Sequence, residues 1–187
     1  MKCLKLLLFT VCIGGFTQQA HAIDVRVEAG GGWAIGYVDA EGFDEGSGGG
    51  PAANAGVWID KLWTDNLSVG MQYLYLSNTL SFSDFDDQHT RIHAGMLNAA
   101  WRMNNGVVHP YIGGGVGFGV TTVEFSPDED DTATDVAGQI FFGFDYDILD
   151  NFYVGVNGRW FITEPKVFGF DETFYQVALM GTIGFKF

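Results

Sequence analysis

Apolar and polar residues alternate along this chain in segments of about 10 residues or more, close to the length that a membrane-spanning strand needs. Between Tyr175 and Phe187, every second residue is apolar and most of those between are small or polar. Val25 to Tyr37 shows the same alternation. Successive side chains of a β-strand point to opposite faces, so the pattern predicts strands with one apolar face.

Six further alternating segments lie between these two, at roughly 53–63, 67–78, 89–103, 111–120, 135–148 and 152–162. Three tight-turn signals, at 64–66, 104–106 and 149–151, alternate with acidic or polar stretches near 39–51, 81–88, 126–134 and 164–172. Short turns that alternate with longer loops are typical of outer-membrane barrels. We therefore predict an all-β fold, an eight-stranded antiparallel up-and-down transmembrane β-barrel.

The same alternation would suit a soluble barrel whose apolar face points inward around a ligand. Two features favour apolar side chains that face lipid. The opposite face is rich in glycine, which suits a narrow lumen with bulky neighbours. Aromatic residues also lie near the strand ends, as in interfacial girdles: Tyr37, Trp63, Tyr146 and Trp160.

The inward and outward positions are ambiguous in the fourth segment. Ile92, Ala94 and Met96 share one parity, whereas Leu97, Ala99 and Trp101 share the other, so the sequence leaves the frame open, and a β-bulge is one explanation. Leu74 and Leu76 are apolar exceptions on the polar face of the third segment.

Residues 1–22 have the features of a signal peptide: a basic start, an apolar stretch from Leu6 to Phe16, and an Ala20-His21-Ala22 cleavage box. We predict cleavage after Ala22, which leaves residues 23–187 as the barrel domain. A lipoprotein signal needs a small residue directly before its cysteine. Val11 precedes Cys12, so the sequence argues against a lipid-modified Cys12. Both cysteines lie in this segment, so disulfide and thiol chemistry are excluded from the mature protein.

The chain is strongly acidic, with a formal net charge of -14. All 23 acidic residues follow Ala22, so loss of Lys2 and Lys5 makes the mature charge -16. Such a charge repels nucleic acid and favours cations or basic partners.

Two groups of residues are candidate metal ligands. His89 and His93 have a metal-ligand spacing for a helix, but four residues of strand span ~13 Å, so the two cannot share one metal. The acidic run from Asp128 to Asp131, with Asp135 close by, lacks the spaced ligands and central glycine of an EF-hand. We interpret this acidic run as a solvated loop. The alternative is that it binds Mg²⁺ or Ca²⁺ loosely and that these ions bridge it to lipopolysaccharide phosphates.

A lipid-modifying enzyme would use His89 with Ser83, Asp86 or Asp87, all in one short loop without partners from other strands. We predict no enzyme, no catalytic residue, no cofactor and no metal ligand.

Charged residues on the predicted lumen face are the last set: Asp24, Arg26, Glu28, Asp145, Asp147, Arg159 and Lys186. Charges in a narrow barrel must pair or meet water. They predict a polar plug, with a selectivity filter as the alternative, because an eight-stranded interior is just wide enough for its own side chains. Lys186 and Asp24 are expected to pair.

The segment His109–Gly117, with its Pro-Tyr-x-Gly-x-Gly pattern, resembles the opacity/OmpA-type family of small outer-membrane barrels. Met96–Ala99 ahead of an aromatic residue and the last strand ending on Phe187 extend the resemblance. It implies a Gram-negative outer-membrane location with periplasmic N- and C-termini. It also implies outer-membrane lipid, lipopolysaccharide and, through the strand ending in Phe187, the barrel assembly machinery as partners.

Members of this family serve as structural proteins, adhesins or narrow pores. The resemblance therefore implies a non-catalytic surface structure or interaction role, in which acidic loops contact a basic or host partner. A narrow cation-preferring, porin-like pore is the alternative, and a lipid A-modifying enzyme is third. Some relatives append a periplasmic peptidoglycan-binding domain, which we expect to be absent here because the chain ends at Phe187.

Overall fold

The computed structural model describes residues 24–40, 46–81, 88–103, 106–126, 129–167 and 170–187. The regular elements in these ranges are all β-strands: β1 (Asp24–Ala40), β2 (Gly46–Asp60), β3 (Leu67–Ser81), β4 (Gln88–Arg102), β5 (Val108–Ser126), β6 (Glu129–Leu149), β7 (Phe152–Thr163), β8 (Lys166–Val167) and β9 (Phe170–Lys186). Within the same ranges, no helix is long and apolar enough to cross a membrane.

Eight of these strands form a closed wall. Each pairs antiparallel with its neighbours in the chain, and β9 closes the barrel by pairing with β7 on one side and β1 on the other. The two-residue β8 pairs only with the start of β9 and lies outside the wall. The predicted eight-stranded antiparallel up-and-down barrel is therefore confirmed.

The two ends of the barrel differ. One end, here called the turn end, carries Asp24, Phe187 and the connections 61–66, 103–107 and 150–151. The opposite loop end carries the connections 41–45, 82–87, 127–128 and 164–169, with β8 inside the last. The predicted difference in length between the two ends is wrong: the connections have 6, 5 and 2 residues at the turn end and 5, 6, 2 and 6 residues at the loop end.

The strands extend further toward the loop end than the sequence pattern predicts. β2 begins at Gly46, where Gly46–Gly50 pairs with β1, and β6 begins at Glu129 within the acidic run. Ladder hydrogen bonds use only main-chain groups, so glycine and acidic residues continue a strand without an apolar face. β2 also ends at Asp60, which places Trp63 in the following turn.

The predicted apolar face points out of the barrel along the whole wall. Its side chains are well exposed, among them Trp33, Val57, Met71, Leu97, Phe118, Phe142, Trp160 and Leu179. All four predicted girdle aromatics, Tyr37, Trp63, Tyr146 and Trp160, are exposed on the outer surface.

The structure settles the frame of β4, which has no bulge. Buried and exposed residues alternate over all 15 residues, and the pairing with β3 and β5 is continuous. Ile92, Ala94 and Met96 point inward, whereas Leu97 and Trp101 point outward. Both faces are apolar because the lumen is itself apolar at this level, so no change of register is needed.

Candidate functional site

The lumen is filled by two layers of different chemistry. In the half next to the turn end, the side chains that point inward are charged or polar, and we call this the charged layer. Its members are Arg26, Glu28, Asp60, Gln72, Asn98, Arg102, Asp145, Asp147, Asn157, Arg159, Lys186 and Gln139. The half next to the loop end has more apolar than polar side chains, and its buried polar residues are Asn78, Gln88, Thr90, Thr121, Thr163 and Gln176.

Ion pairs fix the part of the charged layer nearest the turn end. Arg26 donates through Nε to Asp60, and its Nη1 lies 3.7 Å from Asp145. Arg102 donates through Nη2 to the same Asp145 oxygen. These residues are buried, so each guanidinium is held by the carboxylates around it rather than by bulk water.

Hydrogen bonds continue from these ion pairs toward the middle of the barrel. Tyr153 accepts from Arg26 at 2.9 Å and donates to Glu28 at 3.1 Å. Gln72 donates to Glu28 at 3.1 Å and accepts from Arg159 at 2.5 Å. Arg159 also donates to Gln139 at 2.8 Å. The chain of contacts crosses the lumen, so the polar side chains bind one another across the space that a pore would need.

Aromatic rings fill the space between these cations. The guanidinium of Arg26 lies 5.6 Å from the ring centre of Trp58, that of Arg102 lies 5.2 Å from Tyr111, and that of Arg159 lies 5.5 Å from Phe141. Distances of this size fit cation–π attraction. The cavity that remains among them has a volume of about 10 Å³, which matches about one water molecule.

Glycines on the inward face make room for these rings. A Cβ on Gly113 would lie 2.5 Å from Phe141 Cζ and 2.6 Å from the carbonyl oxygen of Ala99. A Cβ on Gly184 would overlap the ring of Tyr153. The prediction that lumen glycines admit bulky neighbours is confirmed at these two positions.

The apolar layer occupies the lumen next to the loop end. Its large members are less than 3% exposed: Leu74, Leu76, Leu80, Ile92, Met96, Val123, Phe161, Phe174 and Met180. They come from β3, β4, β5, β7 and β9 and form one cluster. The apolar exceptions Leu74 and Leu76 are thus part of a core inside the barrel.

The predicted pair between Lys186 and Asp24 is wrong. Lys186 instead contacts Asp147 at 2.5 Å, and His109 lies 2.9 Å from the same carboxylate. Asp24 pairs with Lys61 at 2.7 Å, and this hydrogen bond raises the pKa of the lysine. Lys186 points into the lumen toward β6, whereas Asp24 lies at the rim beside the 61–66 turn.

His89 and His93 both lie on the outer face of β4, near the loop end as predicted. His89 Nδ1 is 3.0 Å from the hydroxyl of Thr79, and His93 Nδ1 is 2.6 Å from the hydroxyl of Tyr73. Arg91 lies between them and pairs with Glu124. The residues suggested as enzymatic partners of His89, namely Ser83, Asp86 and Asp87, lie outside the described residues.

The acidic run does not converge on one point where the structure describes it. Asp130 and Asp131 are successive residues of β6, so they point to opposite faces, and Asp130 is exposed. Asp128 lies outside the described residues. In the described part of the chain, no group of three or more acidic, histidine or cysteine side chains is arranged to hold a metal ion.

Asp60 and Arg102 are members of the charged layer that the sequence pattern missed. Each is the last residue of its strand, next to a turn, where alternation alone does not separate a lumen position from a solvated one. The alternation could have predicted their inward position, because Asp60 is two residues after Trp58 and Arg102 is two residues after Ala100, and both of these point inward.

The sequence model of the outer membrane protein β-barrel domain family matches residues 7–180. No curated protein matches the chain in sequence.

Solved outer-membrane barrels share the fold. Neisserial surface protein A matches with a TM-score of 0.65 and 14% identity, over 91% of this chain and 100% of that one. A major outer membrane protein of Thermus thermophilus matches with a TM-score of 0.56 and 13% identity, over 89% and 100%. Ail, the attachment invasion locus protein of Yersinia pestis, gives 0.50 and 15%, over 87% and 98%.

Proposed function

Because the chain belongs to the family of outer membrane protein β-barrel domains, we propose that it is a surface protein of a Gram-negative outer membrane that neither conducts ions nor catalyses a reaction. Its loops contact a basic or host partner. The wall and lumen hold these loops in place and carry no substrate or ion.

The observation that carries the proposal is the filled lumen. The charged layer joins Arg26, Glu28, Gln72 and Arg159 across the barrel by direct hydrogen bonds. The apolar layer follows it toward the loop end with fully buried aliphatic and aromatic side chains. An ion that passed through would have to break the first layer and lose its water in the second, and both steps are costly.

The proposed orientation rests on the sequence pattern, in which the tight-turn signals lie at the turn end and the longer acidic or polar stretches lie at the loop end. Outer-membrane barrels have short periplasmic turns and longer outside loops. We therefore assign the turn end, with Asp24 and Phe187, to the periplasm and the loop end to the cell exterior. The segments 41–45 and 82–87 carry six acidic residues between them at this end, which favours a basic partner.

The described surroundings of His89 support a non-catalytic role. Its Nδ1 faces the hydroxyl of Thr79 on the outer wall, and not a carboxylate that would orient it as a general base. The side chain of His89 is exposed on the outward face of β4, so it is not part of a pocket in the lumen.

We expect folded protein in a planar bilayer to give no stable conductance steps, because both layers of the lumen are closed. Single-channel recording measures this, with protein first shown to be folded by heat-sensitive gel mobility. A known porin in the same membrane serves as the positive control. Stable cation-selective steps from folded protein would reject the proposal and favour the narrow pore.

We propose that residues 1–22 are removed during export, and we expect Ile23 to be the first residue of protein purified from outer membranes. Intact-mass spectrometry measures this directly. Replacing Ala20 and Ala22 by bulky residues should leave the precursor uncleaved, since signal cleavage needs small side chains there. A mature chain that begins at a lipid-modified Cys12 would contradict the prediction.

A further inference from the structure

The described outer wall has an open apolar depression, here called the groove, whose lining extends from Val27 on β1 to Val136 on β6. Its volume is about 760 Å³, within the ~300–1,000 Å³ range of ligand sites. Gly95 of β4 forms its floor, and a Cβ there would meet no atom within 4 Å. Tyr73 and Phe118, the residues that pair with Gly95 on β3 and β5, flank this glycine within the groove. Both side chains are exposed on the outer face.

The outer face of β4 changes from apolar to polar just above this groove. From the turn end its outward residues are Trp101, Ala99, Leu97 and Gly95, followed by His93, Arg91 and His89. The three polar residues lie at the loop end of the groove, where the apolar wall meets the polar surface. Tyr73 belongs to both regions, because its ring lines the groove and its hydroxyl contacts His93.

Arg91 gives this surface its positive charge. Arg26, Arg102, Arg159 and Lys186 all point into the lumen, so among the described wall strands Arg91 is the arginine or lysine that points outward. One of its nitrogens contacts Glu124, yet the side chain is 45% exposed. A guanidinium has five N–H donors in a planar fork, so Arg91 can bind a phosphate while it keeps the glutamate contact.

His93 is placed to add a donor. When the Tyr73 hydroxyl donates to Nδ1, the neutral ring carries its proton on Nε2. Arg91 and His93 are two residues apart on one face of β4, so their Cα atoms lie about 7 Å apart. His93 can thus add a second donor to a phosphate group that Arg91 binds.

We propose that this surface binds one lipopolysaccharide molecule, with an acyl chain of lipid A in the Gly95 groove and a lipid A phosphate on Arg91 and His93. The apolar groove and the adjoining cation are separate observations that indicate the same amphiphilic, phosphorylated ligand. The choice of lipopolysaccharide over a phospholipid rests on the proposed orientation, which puts the loop end in the outer leaflet.

Native mass spectrometry of folded protein, released from micelles that contain equal amounts of lipid A and phosphatidylglycerol, tests the site. We expect the unaltered protein to retain one lipid A. Gly95→Leu, which fills the groove floor, should lower the retained fraction about tenfold, because the acyl chain loses its apolar contact. Gly181→Leu is the matched control, since Gly181 also faces outward and has room for a Cβ.

A second pair of variants tests the phosphate. Arg91→Gln should weaken retention of lipid A but not of its dephosphorylated form, and Lys61→Gln at the turn end should change neither. Equal retention by the Gly95→Leu and Gly181→Leu variants would overturn the groove. Retention of lipid A that does not depend on its phosphates would overturn the role of Arg91.

If the loop end faces the periplasm instead of the cell exterior, we expect a different result from the same experiment. Phosphatidylglycerol retained in preference to lipid A, with the same dependence on Gly95, would overturn lipopolysaccharide as the ligand. An epitope inserted in the 41–45 segment and probed on intact cells then shows separately whether the loop end is outside. The conductance recordings are independent of both results.

Discussion

Replacing Asp145 by asparagine is expected to lower the free energy of unfolding by about 3–5 kcal/mol, the usual cost of removing one partner from a buried ion pair. Asp145 contacts Arg102 and lies 3.7 Å from Arg26, and all three are buried in the charged layer. Asparagine keeps the volume of the side chain but removes the charge that both guanidinium groups face. Urea titration in lipid vesicles, followed by gel mobility, measures the change.

Two controls separate lost charge from general damage. Asp150→Asn, in the exposed turn between β6 and β7, should change stability by less than about 0.5 kcal/mol. The double variant Asp145→Asn, Arg102→Met should recover much of the loss, because Arg26 keeps Asp60 and Glu28. If Asp145→Asn cost no more than Asp150→Asn, the ion pair would not stabilise the barrel.

Phe161→Ala is expected to destabilise the barrel by about 3–5 kcal/mol, because it leaves a cavity in the apolar layer. Phe161 is 1% exposed and belongs to the cluster with Leu74, Ile92 and Met180. The same urea titration in vesicles measures this loss.

Phe118→Ala is the matched control, with the same chemical change on the outer face, where the side chain is 67% exposed. That variant loses apolar contact with lipid but leaves no cavity, since lipid chains fill the space. Its cost should therefore be smaller. Equal costs for the two variants would show that the apolar layer is not tightly packed.

Alternation was sufficient to predict the wall. In β6 and β9 the apolar parity follows the outer face from Val136 to Ile148 and from Tyr175 to Phe185, since lipid accepts only one kind of side chain. The lumen has no such rule. Leu74, Leu76 and Ile92 are buried in the lumen, and so is Gln72, because a closed interior can be filled either by apolar packing or by paired polar groups. A second core was therefore not predictable from alternation.

The contact partners of side chains inside the lumen were less predictable than the face of the strand on which each residue lies. The prediction that Lys186 pairs with Asp24 assumed that adjoining strands bring their end residues together. In the barrel, Lys186 contacts Asp147 on β6, which is not its neighbour in the wall. Such contacts depend on strand tilt and shear, which position side chains across the lumen. The alternation of residues along the sequence does not indicate either quantity.

The filled lumen also makes the barrel stiff. The wall of a hollow barrel can flatten under lateral pressure, because only the strand ladders oppose the change of cross-section. Here Phe161, Phe174 and Met180 pack between opposite walls, and close-packed interiors have low compressibility. Pressure from the bilayer should therefore leave the cross-section round, and the strand ends that carry the loops should keep a fixed spacing when the membrane is bent or stretched.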